Sequence, residues 1–369
     1  MGLFKRNKKE DVAKPVETLP TKEELRETEK VCEPSEDYGL SPEVAKAIDN
    51  VIPVISNGDL NLIPSVYNSE TLTSSLAETS IEDLIILADY SYAFMQKDEK
   101  NQQGFAPTFL NCLAAVLADK IKSAEKLYTV YNNSLRISYP HIAGGFALIF
   151  FKEENANAWT EDYKTNHESD VFVKALEGEE IKAYFEELIA LGITNIGIES
   201  NLSKLTINHQ PIFGIKFETV SHPAVQFLSL RFIQLSTSKI YRENSKQTHG
   251  ALLSAILSSK FICPGKTVNG NFIAASLKKG DVSLVTVFTD KRELEKAANE
   301  NPSAKSFFET AELKEITFAE LEPFLMNPQI SALAINISGI GFLLKKEIYE
   351  NLFKAIKEHP DKKLAINIE

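Results

Sequence analysis

Thr289, Asp290 and Asn336 are the polar residues whose placement could bind or position a ligand. An apolar run from 282 to 288 ends at Phe288, and Thr289 and Asp290 follow it at the start of a helical pattern. Asn336 ends a second apolar run, 332–335. A hydroxyl or carboxylate at a helix start accepts hydrogen bonds from the free amides of the first turn. In open α/β sheets the binding crevice forms at strand C-termini, so by analogy the same amide-rich end can face a ligand. The residue types allow both readings, a cap and a binding site.

Other chemistry-bearing patterns lead away from catalysis. Pro264-Gly265-Lys266-Thr267 contains a Gly-Lys-Thr, but a phosphate-binding loop needs Gly where Lys260 stands. It also needs a following helix, whereas 268–275 reads as strand. Gly339-Ile340-Gly341 is too short for a dinucleotide fingerprint and reads as a tight turn. His141, His167, His209, His222, His249 and His359 lack the i, i+4 spacing of a zinc protease and are expected to face solvent. Cys263 lies in an apolar run directly before Pro264, where nothing local lowers a thiol pKa, and reads as a small buried hydrophobe. The pairs Glu153-Glu154, Glu179-Glu180 and Glu186-Glu187 point in different directions on helices and read as solvated faces. No G-x-S-x-G elbow occurs. The expectation is no catalytic residue, no metal and no cofactor.

The elements that would hold these residues follow from periodicity. Helices are expected at 41–48, 81–96, 108–120, 152–159, 179–191, 223–235, 250–260, 289–297, 318–325 and 345–357. Gly192 is expected to end the helix before it. Strands are expected at 127–131, 135–139, 146–151, 193–198, 202–207, 261–264, 268–275, 282–288, 332–337, 339–344 and 364–368. The run 146–151 is continuously apolar, as in a strand buried on both faces. Asn132-Asn133 and Asn269-Gly270 read as hairpin turns, the second being the stronger dipeptide.

The same order of elements occurs twice. With Phe150 laid on Phe288, Ala156 falls on Leu294 and Trp159 on Ala297. Ile196 and Ile198 then fall on Leu333 and Ile335, and Asn132-Asn133 on Asn269-Gly270. Each copy is a helix pair followed by a small mixed sheet flanked by helices, so the expected class is α/β (α+β) with two tandem similar domains, 46–210 and 211–369.

Composition bounds the rest. A chain of 369 residues exceeds what one core usually serves, in keeping with two domains. Residues 1–45 carry many Lys, Glu, Pro and Thr and few large apolar side chains after Phe4, the composition of a disordered charged tail. Its opening, Gly2 to Lys9, reads as a solvated basic terminus or as a peripheral toe-hold on anionic lipid. Arg6 stands where a myristoylation signal needs Ser or Thr. A net charge of −11 argues against a nucleic-acid partner, and no apolar window reaches membrane-spanning length. Three distant cysteines, Cys32, Cys112 and Cys263, suit a reducing cytoplasm.

Phe261-Ile262-Cys263-Pro264, the approach into Phe288-Thr289-Asp290, and Ala334-Ile335-Asn336 before a closing helix resemble the N-terminal domain of the SseB-type bacterial proteins. The resemblance covers 260–351. Ile337 replaces the Pro that usually follows the Asn, and the first copy has Phe151-Lys152 and Glu199-Ser200 at the two motif sites. Trp159 sits where that family often carries a Trp. The resemblance implies a bacterial protein, and position at the strand ends together with the resemblance leaves Phe288, Thr289, Asp290, Asn336 and Trp159 as the candidate binding residues. The expected function is a non-catalytic binding or adaptor protein with a protein partner. The alternative is a hydrolase or transferase whose site assembles from dispersed residues, recognisable by a deep pocket holding a His, Cys or carboxylate with a hydrogen-bonded partner.

Overall fold

The computed structural model describes residues 69–97, 99–133, 138–143, 145–167, 169–199, 206–215, 219–237, 242–279, 282–300 and 302–358. The expected tail at 1–45, the helix at 41–48 and the strand at 364–368 lie outside them. The chain divides into two compact units at Leu117/Ala118.

In the first unit, α1 (Ser69–Ala77) and α2 (Ile81–Lys97) precede a short 3-10 turn, Glu99–Gln102, and α3 (Ala106–Ser123), within which the division falls. Helix α2 buries Leu84, Leu87, Ala88, Ser91 and Phe94, one stripe at helical spacing. Ser80 caps it, its hydroxyl accepting the Asp83 amide at 3.1 Å.

The second unit contains a seven-stranded sheet and, joined by one bridge and together called the second sheet, a three-stranded and a four-stranded ladder. The first is built from β1 (Lys126–Asn132), β2 (Tyr139–Pro140), β3 (Ile142–Ala143), β4 (Phe146–Phe150), β5 (Val171–Glu177), β6 (Asn195–Ile198) and β7 (Thr206–Asn208). Helix α4 (Glu153–His167) joins β4 to β5, and α5 (Glu179–Ala190) joins β5 to β6. Helices α6 (Ala224–Thr237) and α7 (Arg242–Leu257) then lead into β8 (Lys260–Val268), β9 (Asn271–Ala274), β10 (Ser276–Lys279) and β11 (Val282–Val287). After α8 (Lys291–Glu300) and α9 (Pro302–Thr310) come β12 (Glu312–Thr317), the short helix α10 (Glu322–Leu325), β13 (Ala332–Ile335), β14 (Phe342–Lys345) and α11 (Lys346–Glu358).

Both sheets have one strand order. The first runs β5-β1-β4-β6-β7, with only the β4/β6 pair parallel. The second runs β12-β8-β11-β13-β14, with only β11/β13 parallel, and the β8/β11 contact is the single bridge Ile262↔Phe288. The parallel pair keeps one register: Ile149 faces Ile198 as Val287 faces Ile335. Even the hairpin arms agree, because β2 and β3 pair with β1 and β4 as β9 and β10 pair with β8 and β11. At β1 the correspondence is shifted from the sequence alignment. Tyr128 opposite Phe150 matches Ile262 opposite Phe288, which sets Asn132 on Lys266 rather than on Asn269. The second hairpin is longer, and its Asn269-Gly270 turn has both residues left-handed, φ 52° and 81°.

The core of the second sheet packs Phe261, Cys263, Val285, Val287, Leu333 and Ile335 against Leu252, Ile256, Leu352 and Phe353 from its helices. On the opposite face Ile262 and Phe288 meet Leu294, Ala297 and Phe308. Helix α5 ends as expected at Gly192, whose φ of 71° completes a Schellman pair, Gly192 N–H to Ile189 O and Ile193 N–H to Leu188 O. Helix α7 starts eight residues before the expected 250 because its first half is polar and carries no apolar rhythm. The expected strand at 135–139 falls largely outside the described residues, and only Tyr139 of it is seen in β2.

Candidate functional site

The parallel pairing of β11 and β13 brings Thr289, Asp290 and Asn336 together at one end of the second sheet. Asn336 takes a left-handed conformation, φ 52°, which turns its side chain back toward the end of β11. Its Oδ1 accepts the Thr289 amide at 3.0 Å, and its Nδ2 donates to Thr289 Oγ1 at 2.9 Å. The Thr289 hydroxyl donates to Asp290 Oδ2 at 2.8 Å. Asp290 Oδ1 accepts the Glu293 amide at 3.0 Å, the N-cap bond of α8. From α6, Gln226 Nε2 reaches Thr289 Oγ1 at 2.6 Å and Asp290 Oδ2 at 2.8 Å. Thr289, Asp290, Asn336 and Gln226 are all buried. These bonds, which leave only Gln226 Oε1 of the four side chains without a partner, tie the ends of β11, β13 and α6 to one another.

The first sheet contains the same device with different residues. Glu199, φ 63°, donates its amide to Ile149 O at 2.8 Å, as Asn336 donates to Val287 O at 3.0 Å. The Glu199 carboxylate accepts the Phe151 amide at 2.8 Å and the Asn155 side chain at 2.7 Å. Asn336 and Glu199 are thus one structural post, a left-handed residue whose side chain caps the end of the neighbouring strand.

Phe288 is fully buried, 5.7 Å edge-on from Phe308, and is a core wedge beneath this network. Trp159 lies on α4 of the first sheet, stacked on Tyr163 at 4.8 Å, with His167 beyond Tyr163 at 4.1 Å. Four of the five candidates are therefore adjacent, and Trp159 belongs to an aromatic ladder elsewhere. The i, i+4 spacing of Trp159, Tyr163 and His167 carries that ladder in the sequence. Gln226 has no such signal, since its partners lie 63 and 64 residues away.

Beside Asp290 opens a cavity of about 580 Å³ lined by Thr219, Val220, Lys260, Lys291, Arg292 and Glu315. Its cations come from the first residue of β8 and the first turn of α8. A smaller cavity, about 250 Å³, lies between the two sheets' helices and includes Glu187, Arg292, Glu293, Lys296 and Gly339. Glu293 is buried and pairs with Lys296 at 2.9 Å. A Cβ on Gly339 would collide with the Glu293 carboxylate.

Two of the histidines expected in solvent are buried. His141 is packed among Trp159 and Tyr163, with Gln234 Nε2 3.3 Å from its Nδ1. Burial, then the charges of Arg231 and His167, push its pKa down to about 3. His209 sets Nε2 2.6 Å from Ile193 O, and burial lowers its pKa. These rings fill gaps between elements, a demand that single-sequence spacing does not express. Cys263 is buried as expected, and burial raises its thiol to about 12. Among the described residues no cluster of three His, Cys, Asp or Glu could hold a metal ion, and no helix is long and apolar enough to cross a membrane.

No family model, no curated protein and no solved structure matches this chain.

Proposed function

We propose that the chain is a non-catalytic binding or adaptor protein of SseB-like type, and that an acidic surface of a protein partner docks at the cavity rimmed by Lys260, Lys291 and Arg292. The observation that carries this reading is the convergence of Lys260, Lys291 and Arg292, against the carboxylates Glu315 and the capped Asp290, on one open cavity in a chain of net charge −11. Opposite potentials steer such encounters. The cavity does hold a carboxylate with hydrogen-bonded partners, the feature that would favour an enzyme. Both Asp290 oxygens, however, already accept bonds from Glu293, Thr289 and Gln226, so the group caps and braces. The short motifs of the SseB-type resemblance fall on β8, β11 and β13, which the Ile262↔Phe288 bridge and the β11/β13 ladder bring side by side. That placement supports the family reading and puts the cavity beside it.

The test is capture of partners on the full-length chain, wild type against Lys260→Glu with Lys291→Glu, and against Lys152→Glu, the residue of the first copy aligned with Asp290. Proteins retained by wild type and by the Lys152 variant, but lost from the double variant, are the expected result. Equal retention by all three refutes the docking site. A hydrolytic or transfer activity abolished by Asp290→Asn would refute the non-catalytic reading.

A further inference from the structure

Strand β12 has one partner, β8, and its other edge is unpaired among the described residues. Glu312, Leu313, Lys314 and Glu315 are all exposed. The direction of each backbone group follows from the neighbouring strands. Ile262 exchanges both bonds with Phe288, and Pro264 O accepts from Ala275, so the polar groups of residues 262 and 264 face away from β12. Phe261, Cys263 and Gly265 therefore bond to Ile316, Lys314 and Glu312. The amides and carbonyls of Leu313 and Glu315 consequently point outward. Thr317, the next outward residue, has its amide capped by Glu320 at 2.8 Å, which closes that end of the edge.

We propose that β12 is the seam of a symmetric dimer, paired antiparallel with β12 of a second copy of this chain, Leu313 opposite Leu313 of the partner subunit. Charge selects this register. Centred on Leu313, it sets Glu312 opposite Lys314 of the partner subunit, and the two-fold axis gives that pair twice on one face. Centring the pairing on residue 312, 314 or 315 instead sets Glu against Glu, Lys against Lys, or Glu against Glu. Opposite charges directly across a ladder stabilise it and like charges oppose it. The outward groups of Leu313 then bond to each other across the axis. The two half-exposed leucines, 44% accessible, cover one another on the other face. The corresponding edge of the first sheet has no such match: a pairing centred on Val173 would set Phe172 opposite Lys174. Charged edge strands ordinarily deter pairing; here the sign pattern deters three registers and favours one.

Sedimentation velocity on the full chain, from about 1 to 200 μM, tests this. The expected result is a dimer fraction that rises with concentration and falls with added salt. Lys314→Glu sets like charges opposite each other twice and is expected to weaken the dimer about tenfold or more. Lys314 is exposed, so its reversal leaves the β12/β8 hydrogen bonds in place. Exchanging the two charges, Glu312→Lys with Lys314→Glu, restores the pair and is expected to restore the dimer. A wild-type chain that stays monomeric throughout overturns the proposal, as does a dimer indifferent to Lys314→Glu or a double exchange that fails to recover it.

Discussion

Replacing Asn336 by Ala removes the post that joins β13 to the end of β11. Two costs follow from the geometry. The Thr289 amide, buried, loses its acceptor at 3.0 Å, and an orphaned buried donor costs about 1–3 kcal/mol. Alanine must also hold φ 52°, which costs a residue with a Cβ roughly 1–2 kcal/mol. The sum is about 2–5 kcal/mol. Asn336→Gly incurs only the first cost, whereas Asn336→Asp keeps the acceptor but loses the donor to Thr289 Oγ1 and buries a second carboxylate in the network that holds Asp290, so it is expected to cost at least as much as Gly. Glu199→Ala in the first sheet should cost less than Asn336→Ala, because Phe151 and Glu199 are only half-buried and water can replace the carboxylate. Urea midpoints by circular dichroism give the order, and hydrogen exchange at the Thr289 amide locates the loss. A Gly variant as unstable as Ala would show that backbone strain is not part of the cost. Unchanged exchange at Thr289 in Asn336→Ala would refute the post itself.

Gly339→Ala places a Cβ against the Glu293 carboxylate and should destabilise by about 1–3 kcal/mol, less in a Glu293→Ala background; additive losses in the double-mutant cycle would count against the contact. His141 is neutral in the folded chain down to about pH 3, while the unfolded ring binds a proton below about 6.5. Its contribution is therefore complete above pH 6.5 and declines as pH falls toward 3. Stability against pH should lose part of its acid limb in His141→Gln, and an identical limb would contradict this. With its thiol near 12, Cys263 should resist iodoacetamide at pH 8 in the native chain and react in urea. Rapid native labelling, read by peptide mass, would show that the strand opens.

What the sequence could convey depended on burial. The runs 146–150 and 282–287 and the pair Ile198/Ile335 are legible because both faces of those strands are covered, so side chains of one kind persist. Strands β5 and β12 left no comparable trace. Each is an outer strand, and four of six β12 residues are exposed, which removes both continuity and alternation. The polar cap at Thr289 and Asp290 was readable from position alone. Its closure by Gln226 was not, since a single glutamine on α6 looks the same whether it meets water or a buried carboxylate. The Asn132 alignment failed because turn residues repeat in any hairpin, whereas the Ile262↔Phe288 bridge fixes register by geometry.

That one bridge has a mechanical consequence. Among the described residues it is the only rung between two wings of the second sheet, β12-β8-β9 and β10-β11-β13-β14, where the first sheet has two, Tyr128↔Phe150 and Thr129↔Ile149. The wings are glued by side chains, since Phe261 and Cys263 share a core with Val285 and Val287. The line between them is a crease. Bending along it slides apolar contacts that have no fixed direction and strains the two bonds between Ile262 and Phe288, while Ser221, which donates to both Thr289 O and Lys260 O, ties the two wings at that end.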